Sequence, residues 1–353
     1  MIRLLVRGPR LAAVCAAIYL TALLSAPDAA ADSAMSTVTM PVSVRDAILA
    51  AENDATVAVA VLDTQTGQFY GSAEDEEQFP SESVVKILIA ANLLATGQMT
   101  GATEQMAYQM ITQSDDDDAD SLWGAVGGPA VVGWAQTRYA IADLGSPPTQ
   151  YGWWGNTKFT ADGLVQLYAA IKADPVVGPW LIDAMSHMSG TAADGTDQDF
   201  GLAAQTTSGA FKQGWGGDDD ADDSEQLNST GLLDGDRYAV AVLVQHIPYE
   251  PMSTLVPVID AVSAAVAPDG QVTATPAAHA STEPSAVSTP TASPSGIAAA
   301  PILADPRGAA HPLFGRAADG LVSAGIFLAA GCLIIGAVGR RRRKERDRQA
   351  ARH

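Results

Sequence analysis

The stretch FPSESVVKILIAANLL, residues 79–94, joins a short polar start to a continuous apolar run. The run predicts a buried helix that begins near Ser81 or Ser83 and ends before Gly97. Residues three apart share a helix face, so the Lys86 amine can point at the Ser83 hydroxyl. A serine needs a neighbour that takes its proton, and burial favours the neutral amine suited to that task. Taken alone the pair is weak evidence, because helix capping by serine explains most such patterns.

Two later pieces carry side chains that suit the same chemistry. In MITQSDD, residues 110–116, Ser114 is placed to relay a proton, the alternatives being a helix N-cap or a polar loop. In FKQGW, residues 211–215, Lys212 would supply positive charge for a substrate carboxylate. Gly214 would let a ligand approach the strand edge. An isolated lysine on an edge strand indicates only solubility.

The order of the predicted elements indicates an α+β fold. A helix near residues 42–51 precedes a hairpin in TVAVAVLDTQTGQFYGS, residues 56–72, and a long helical region follows. Strands return from about Ala210, and a helix closes the domain over residues 252–266. We therefore expect an antiparallel sheet, assembled from both ends of the domain and flanked by helices and a helical lobe.

Together, and in this order, the three pieces resemble the S-x-x-K, S-D-N and K-T-G motifs of class A β-lactamases and penicillin-binding proteins. The similarity extends over residues 42–266 and implies a β-lactamase/transpeptidase-like fold. By this resemblance Ser83 is the acylated nucleophile, Lys86 its base partner and Ser114 the proton shuttle. Lys212 is then the anchor for a substrate carboxylate.

The chain departs from these motifs in its substrate-binding residues. Asp116 stands where S-D-N has asparagine, and a carboxylate accepts from Lys86 but cannot donate to a substrate carbonyl. Gln213 stands where K-T-G has threonine, and its amide is expected to replace the lost hydroxyl in part. The predicted substrate-binding set is thus Asp116, Lys212, Gln213 and Gly214.

A further departure concerns release of an acylated serine. Class A enzymes carry a glutamate between the second and third motifs that activates the hydrolytic water. The corresponding residues 144–164, LGSPPTQYGWWGNTKFTADGL, contain no glutamate. Without that base an acyl-enzyme is expected to persist, so slow or absent β-lactam turnover is predicted. The segment between Lys86 and Ser114 is also shorter than in those enzymes, which predicts a reduced helical lobe.

The two ends of the chain predict export and a membrane anchor. Residues 1–31 have the basic, apolar and small-residue parts of a cleaved signal peptide, the alternative being an uncleaved anchor. Lipidation at Cys15 is not expected, because the apolar core of the signal follows it. The remaining segments are an extracytoplasmic domain (32–266), an Ala/Pro/Ser/Thr-rich linker (267–316), a single transmembrane helix (317–339) and a basic cytoplasmic tail (340–353).

Charge and residue usage narrow the expected partners. The formal net charge is −20 and the basic residues gather at the termini, so nucleic-acid binding is excluded. Within residues 32–266 the histidines are His187 and His246 and cysteine is absent, so neither a metal, another cofactor nor a disulfide is expected. The runs Asp115–Asp118 and Asp218–Asp220 lack the spacing of a calcium loop and predict solvated acidic loops.

Several functions remain open on the sequence. The leading hypothesis is a surface-anchored serine hydrolase whose Ser83 is acylated by a β-lactam or a peptidoglycan peptide. Against it stands a catalytically decayed binding module for cell-wall fragments or a protein partner, or a coincidence of motifs. The aromatic cluster Tyr151, Trp153 and Trp154 is expected in the core, the alternative being a stacking platform beside the cleft.

Overall fold

The computed structural model describes residues 35–52, 55–218, 224–248 and 250–273. Its strands are β1 Ser36–Thr37, β2 Thr56–Asp63, β3 Gln68–Gly71, β4 Phe79–Pro80, β5 Gly145–Ser146, β6 Lys158–Phe159, β7 Gly209–Asp218, β8 Ser224–Leu233 and β9 Tyr238–His246. Its α-helices are α1 Val42–Ala51, α2 Lys86–Ala95, α3 Ala102–Thr112, α4 Asp116–Trp123, α5 Ala130–Tyr139, α6 Ala161–Ala173, α7 Gly178–Ser186, α8 Leu202–Gln205 and α9 Met252–Val266. Short 3-10 helices cover Glu82–Val85, Trp154–Asn156 and Pro268–Gly270.

One six-stranded sheet, in the order β1-β3-β2-β9-β8-β7, draws on both ends of the folded chain, as the element order predicts. Its neighbours are antiparallel except β1 and β3, which are parallel. The sequence does not predict this parallel pair, because it joins Ser36 and Thr37 alone to β3 and leaves no periodic pattern. The strands β4, β6 and β5 form a small second sheet.

Alternation along the central strand β2 explains why helices cover both faces of the sheet. Val57, Val59 and Val61 belong to the apolar cluster that includes residues of α1 and α9. Ala58 and Ala60 belong to the other cluster, which includes α2 and α6. Because successive side chains point to opposite faces, the small alanines leave room for the helices on the second face.

The predicted apolar helix forms, but its first turn differs from the expectation. Residues Glu82–Val85 form a 3-10 turn, and the α-helix proper starts at Lys86 and ends at Ala95, before Gly97. Ser83 therefore sits in the tighter turn that precedes α2. The α2 helix that follows is almost entirely buried from Lys86 to Leu93.

The first acidic run is a helix start and not the solvated loop that the sequence predicts. The Asp115 carboxylate caps α4 by accepting from the backbone N–H of Asp118 at 3.0 Å. Asp116 and Asp117 follow in the first turn, where negative charge is favoured by the helix dipole. The prediction failed because capping depends on local backbone geometry that a run of aspartates does not specify. Most of the second run lies outside the described residues.

The folded part continues past residue 266, where the sequence analysis ends the domain. The backbone N–H of Thr273 donates to Val266 at 2.7 Å, and the Tyr70 hydroxyl donates to the carbonyl of Thr273 at 3.0 Å. The Val272 N–H donates to the Asp234 carboxylate at 3.1 Å. Composition missed this because the segment is short and rich in small and polar residues, although Ala267 and Val272 pack on the core.

Helices able to cross a bilayer are absent from the part of the chain that the structure describes. The predicted signal peptide, the transmembrane segment and the basic tail all lie outside the described residues. Their assignments stay predictions.

Glu225, buried on β8, makes the stability of the fold depend on pH. Burial raises the pKa of its carboxyl from 4.5 to about 7. The folded state then keeps a proton that the unfolded state has lost, so the free energy of unfolding falls as pH rises between these values. In Glu225→Gln we expect the fall in the free energy of unfolding over this pH range to be smaller by up to about 3 kcal/mol. Urea unfolding at about pH 5 and pH 8 measures it.

The exposed Glu77→Gln is the matched control and should leave the pH dependence of unfolding unchanged. A Glu225→Gln protein whose free energy of unfolding falls with pH as steeply as that of the unchanged protein would contradict the prediction.

Candidate active site

Ser83 and Lys86 are in direct contact. The Lys86 Nζ lies 2.9 Å from the Ser83 Oγ across one helical turn, as their spacing predicts. Lys86 is completely buried, whereas Ser83 keeps 5% of its surface exposed. Both residues of the pair are therefore largely shielded from solvent.

The loop between α3 and α4 brings Ser114 to the same lysine. The Lys86 Nζ donates to the Ser114 carbonyl at 2.7 Å and lies 3.4 Å from its Oγ. Ser114 has a φ of +55°, a left-handed conformation that is uncommon for a side chain other than glycine. It does not cap a helix, since Asp115 does so. The strained backbone is what turns both Ser114 oxygens towards the lysine.

Lys212 completes the set from the edge strand β7. Its Nζ donates to the Ser114 Oγ at 2.8 Å and to the carbonyl of Gln213 at 3.1 Å. Burial, and then the charge of Lys86, hold the pKa of Lys212 well below its usual range. A bound carboxylate would raise that pKa again, because an opposite charge favours the ammonium form.

Hydrogen bonds behind β7 fix the position of Lys212. The Thr230 hydroxyl on β8 donates to the carbonyl of Lys212 at 2.7 Å. Its oxygen lies 2.7 Å from the Tyr168 hydroxyl of α6, which must be the donor because the Thr230 proton is already used. Since Tyr168 and Thr230 are both fully buried, this chain ties the strand to the core.

The turn that carries Ser83 is held against the sheet by backbone contacts. The Asn228 amide donates to the carbonyl of Pro80 at 2.8 Å. A Cβ on Gly214 would lie 2.6 Å from the carbonyl oxygen of Ser81. Gly214 therefore admits the neighbouring turn of the chain itself, which differs from the ligand approach that the sequence predicts.

Gln213 points away from the two lysines. Its amide donates to the carbonyls of Phe200 at 2.6 Å and Gln198 at 3.1 Å, and the residue is fully buried. A substrate carboxylate could reach this amide only if those bonds broke. The sequence reasoning missed this because successive side chains on a strand face opposite sides, so Gln213 and Lys212 cannot share one.

Asp116 and burial act in opposite directions on the charge of Lys86. Its Oδ1 accepts from the Lys86 Nζ at 2.8 Å, the contact that the sequence predicts for a carboxylate at this position. Burial lowers the pKa of Lys86, whereas the charge and hydrogen bond of Asp116 raise it, and the net direction is downward. The ion pair thus opposes formation of the neutral amine that a proton acceptor requires.

Trp154 contacts Lys86 but was not assigned to the site from the sequence. The Lys86 Nζ lies 4.7 Å from the centre of the Trp154 ring, a cation–π arrangement. The Trp154 indole N–H donates to Asp120 at 2.7 Å, which fixes the ring. Of the predicted aromatic cluster, Trp154 is buried, Trp153 half-buried and Tyr151 exposed. The aromatic run was the available signal, but no pattern tied it to the lysine.

Glu82 was also missed, although it directly precedes Ser83. Its φ of +46° marks a second strained position at the site. A Cβ on Gly216 would lie 2.6 Å from the Glu82 Oε2, and one on Gly155 3.0 Å from it. The glutamate therefore fills the space between β7 and the Trp154–Asn156 turn, and both glycines make that possible.

Solved structures with a similar fold are class A β-lactamases. A β-lactamase from Chitinophaga pinensis superposes with a TM-score of 0.51 and 16% sequence identity, over 63% of this chain and 97% of that chain. A class A β-lactamase from Bacteroides cellulosilyticus does so with a TM-score of 0.50 and 17% identity, over 63% and 95%. The described residues therefore have a β-lactamase-like α+β fold.

Curated relatives are more similar in sequence but share only part of their length. The proteins named "Putative lipoprotein LppW" in Mycobacterium tuberculosis and Mycobacterium bovis are 33% identical over 189 residues. The alignment covers 50% of this chain and 59% of the length of those relatives. No family model matches the chain.

The Asp116 ion pair predicts a measurable change in Lys86. In Asp116→Asn the negative charge is lost while the burial of Lys86 remains, so the pKa of Lys86 should fall further. Titration of the lysine side-chain resonances by NMR measures it. Asp117→Asn is the matched control, because Asp117 is exposed in the same helical turn. An unchanged or higher pKa for Lys86 in Asp116→Asn would show that the ion pair does not control this lysine.

Proposed function

We propose that this chain is a divergent serine hydrolase of the β-lactamase and penicillin-binding superfamily, with Ser83 as the acylated residue. The observation that carries the proposal is the continuous set of contacts Ser83–Lys86–Ser114–Lys212, with heavy-atom distances of 2.9, 3.4 and 2.8 Å. The fold shared with class A β-lactamases supports it.

The proposed chemistry uses each member of this set once. Ser83 Oγ attacks the carbonyl carbon of a β-lactam or cell-wall peptide as its proton passes to the neutral Lys86 amine. The carbon–nitrogen bond of the substrate then breaks, and the leaving nitrogen receives a proton through Ser114. Lys212 attracts a carboxylate of the substrate. Release of the acyl group requires a water and a base, and the interval 144–164 offers no glutamate for that step.

A second candidate function is a binding module that has kept the fold and lost the chemistry. Two observations favour it: Asp116 pairs with Lys86 at 2.8 Å, and Ser83 is only 5% exposed. A lysine held as ammonium cannot accept the serine proton. In this case a wall fragment or a protein partner would bind reversibly.

Labelling with fluorescent penicillin separates the two candidates. We expect a covalent adduct located on Ser83 by peptide mass, absent in Ser83→Ala, and steady-state nitrocefin hydrolysis that is slow or undetectable. Acylation should rise with pH as Lys86 loses its proton, and this rise should shift to lower pH in Asp116→Asn. Reversible wall binding without an adduct would favour the binding module. Rapid nitrocefin turnover abolished in Ser83→Ala would overturn the proposed slow release.

We also propose that the domain is held at the outer face of the cell membrane by the predicted helix 317–339. The relatives named as lipoproteins support a membrane association, and the apolar run followed by Arg340–Arg343 supports a stop-transfer segment.

Truncation tests the mode of anchoring. A chain ending at residue 316 should be released into the medium, because the apolar span is removed. Cys15→Ala should leave the full chain in the membrane fraction, as measured by immunoblot after carbonate extraction. Release of Cys15→Ala, with retention of the truncated chain, would indicate a lipid anchor at Cys15 instead.

A further inference from the structure

We propose that a groove between α3 and α7 binds a neutral glycan chain whose sugars carry acetamido groups. The groove is lined by Glu104, Gln105, Tyr108, Gln109, Gln113 and Trp180, and we call it the α3–α7 groove. This site is additional to the proposed serine chemistry and does not depend on it.

An aromatic pair forms an apolar surface in the groove. Tyr108 is 39% exposed, and its ring packs edge-to-face on Trp180, with centroids 6.4 Å apart and planes at 78°. The Trp180 indole N–H donates to Glu104 at 3.2 Å, which holds the indole in place. Rigid aromatic rings with polar edges suit ligands that have both apolar and hydroxylated faces, as sugar rings do.

A row of amides follows the aromatic pair along α3. Gln105 and Gln109 are four residues apart on α3 and share one face, about 6 Å apart along the helix axis, and Gln113 follows at the C-cap of the helix. Within the described part of the chain, the side chains of these glutamines make no hydrogen bond. Each amide offers two donors and an acceptor, which matches hydroxyl and acetamido groups.

Charge argues against other ligand classes. Among the described residues that line the groove, Glu104 alone is charged, and it already accepts from Trp180. The acidic chain, with a formal net charge of −20, repels anions, and the described lining includes no basic side chain to offset this. The helices that form it have internally bonded backbones, so they offer no strand edge to an extended peptide. A neutral, hydroxyl-rich ligand fits these conditions.

One lining residue of the groove is adjacent in the chain to the serine cluster. Gln113 at its end directly precedes Ser114, and the Gln113 carbonyl accepts from the backbone N–H of Ala193 at 2.8 Å.

Binding of a soluble β-1,4-linked N-acetylglucosamine oligomer tests the proposal. The full-length chain, in a detergent without a sugar headgroup, should show saturable binding by calorimetry and a change in tryptophan emission. Tyr108→Ala should weaken binding about tenfold through loss of one ring. The double variant Gln105→Ala, Gln109→Ala should also weaken it, and both positions are surface-exposed or half-buried, so the fold should persist.

Two controls make the result specific. Tyr139→Ala removes a similar ring, edge-to-face with Trp134 at 6.1 Å and 79° on α5, and should leave binding unchanged. Ser83→Ala should also bind normally, so a failure of the proposed acylation would not affect this test. No binding at millimolar oligomer, or equal affinity in Tyr108→Ala, would overturn the proposal.

Discussion

Two lysine amines, Lys86 and Lys212, lie in one site with no exposure to water, and the cost of burying charge governs everything around them. Each amine has to lose its proton or find a partner. Asp116 partners Lys86, and the Ser114 hydroxyl lies between the two amines at 3.4 and 2.8 Å. Any chemistry at Ser83 therefore depends on how one proton is shared among these groups.

The fold meets this constraint by bringing together segments that are distant in the chain. Ser114 and Lys212 are separated by 98 positions, and β7 supplies the second lysine only because Thr230 and Tyr168 fix the carbonyl behind it. The left-handed conformations of Ser114 and of Glu82 are the local cost, of order 1–3 kcal/mol each, and the surrounding packing has to exceed it. Ala140, Asp234, Asp236 and Asp269 also have positive φ, so strained positions are found outside the site as well.

Local patterns predicted the helices, the hairpin and the late strands, because apolar periodicity and turn residues act over a few positions. The Ser83–Lys86 contact was predictable for the same reason. The meeting of Ser114 with Lys212 came from resemblance alone, since no periodicity links residues so far apart. The direction in which each side chain points was harder still to predict. Gln213 faces the interior because strands alternate, and the Trp154 contact with Lys86 depends on a loop whose course the aromatic run did not indicate.

The tail that follows α9 has a mechanical consequence. Thr273 bonds to Tyr70 on β3 and to the end of α9, and Val272 bonds to the β8–β9 turn, with donor–acceptor distances of 2.7 to 3.1 Å. Tension applied through the following residues would be resisted first by these bonds, each worth on the order of 1 kcal/mol. A pull on Thr273 would therefore free a few terminal residues before it disrupted the pairing of the sheet strands.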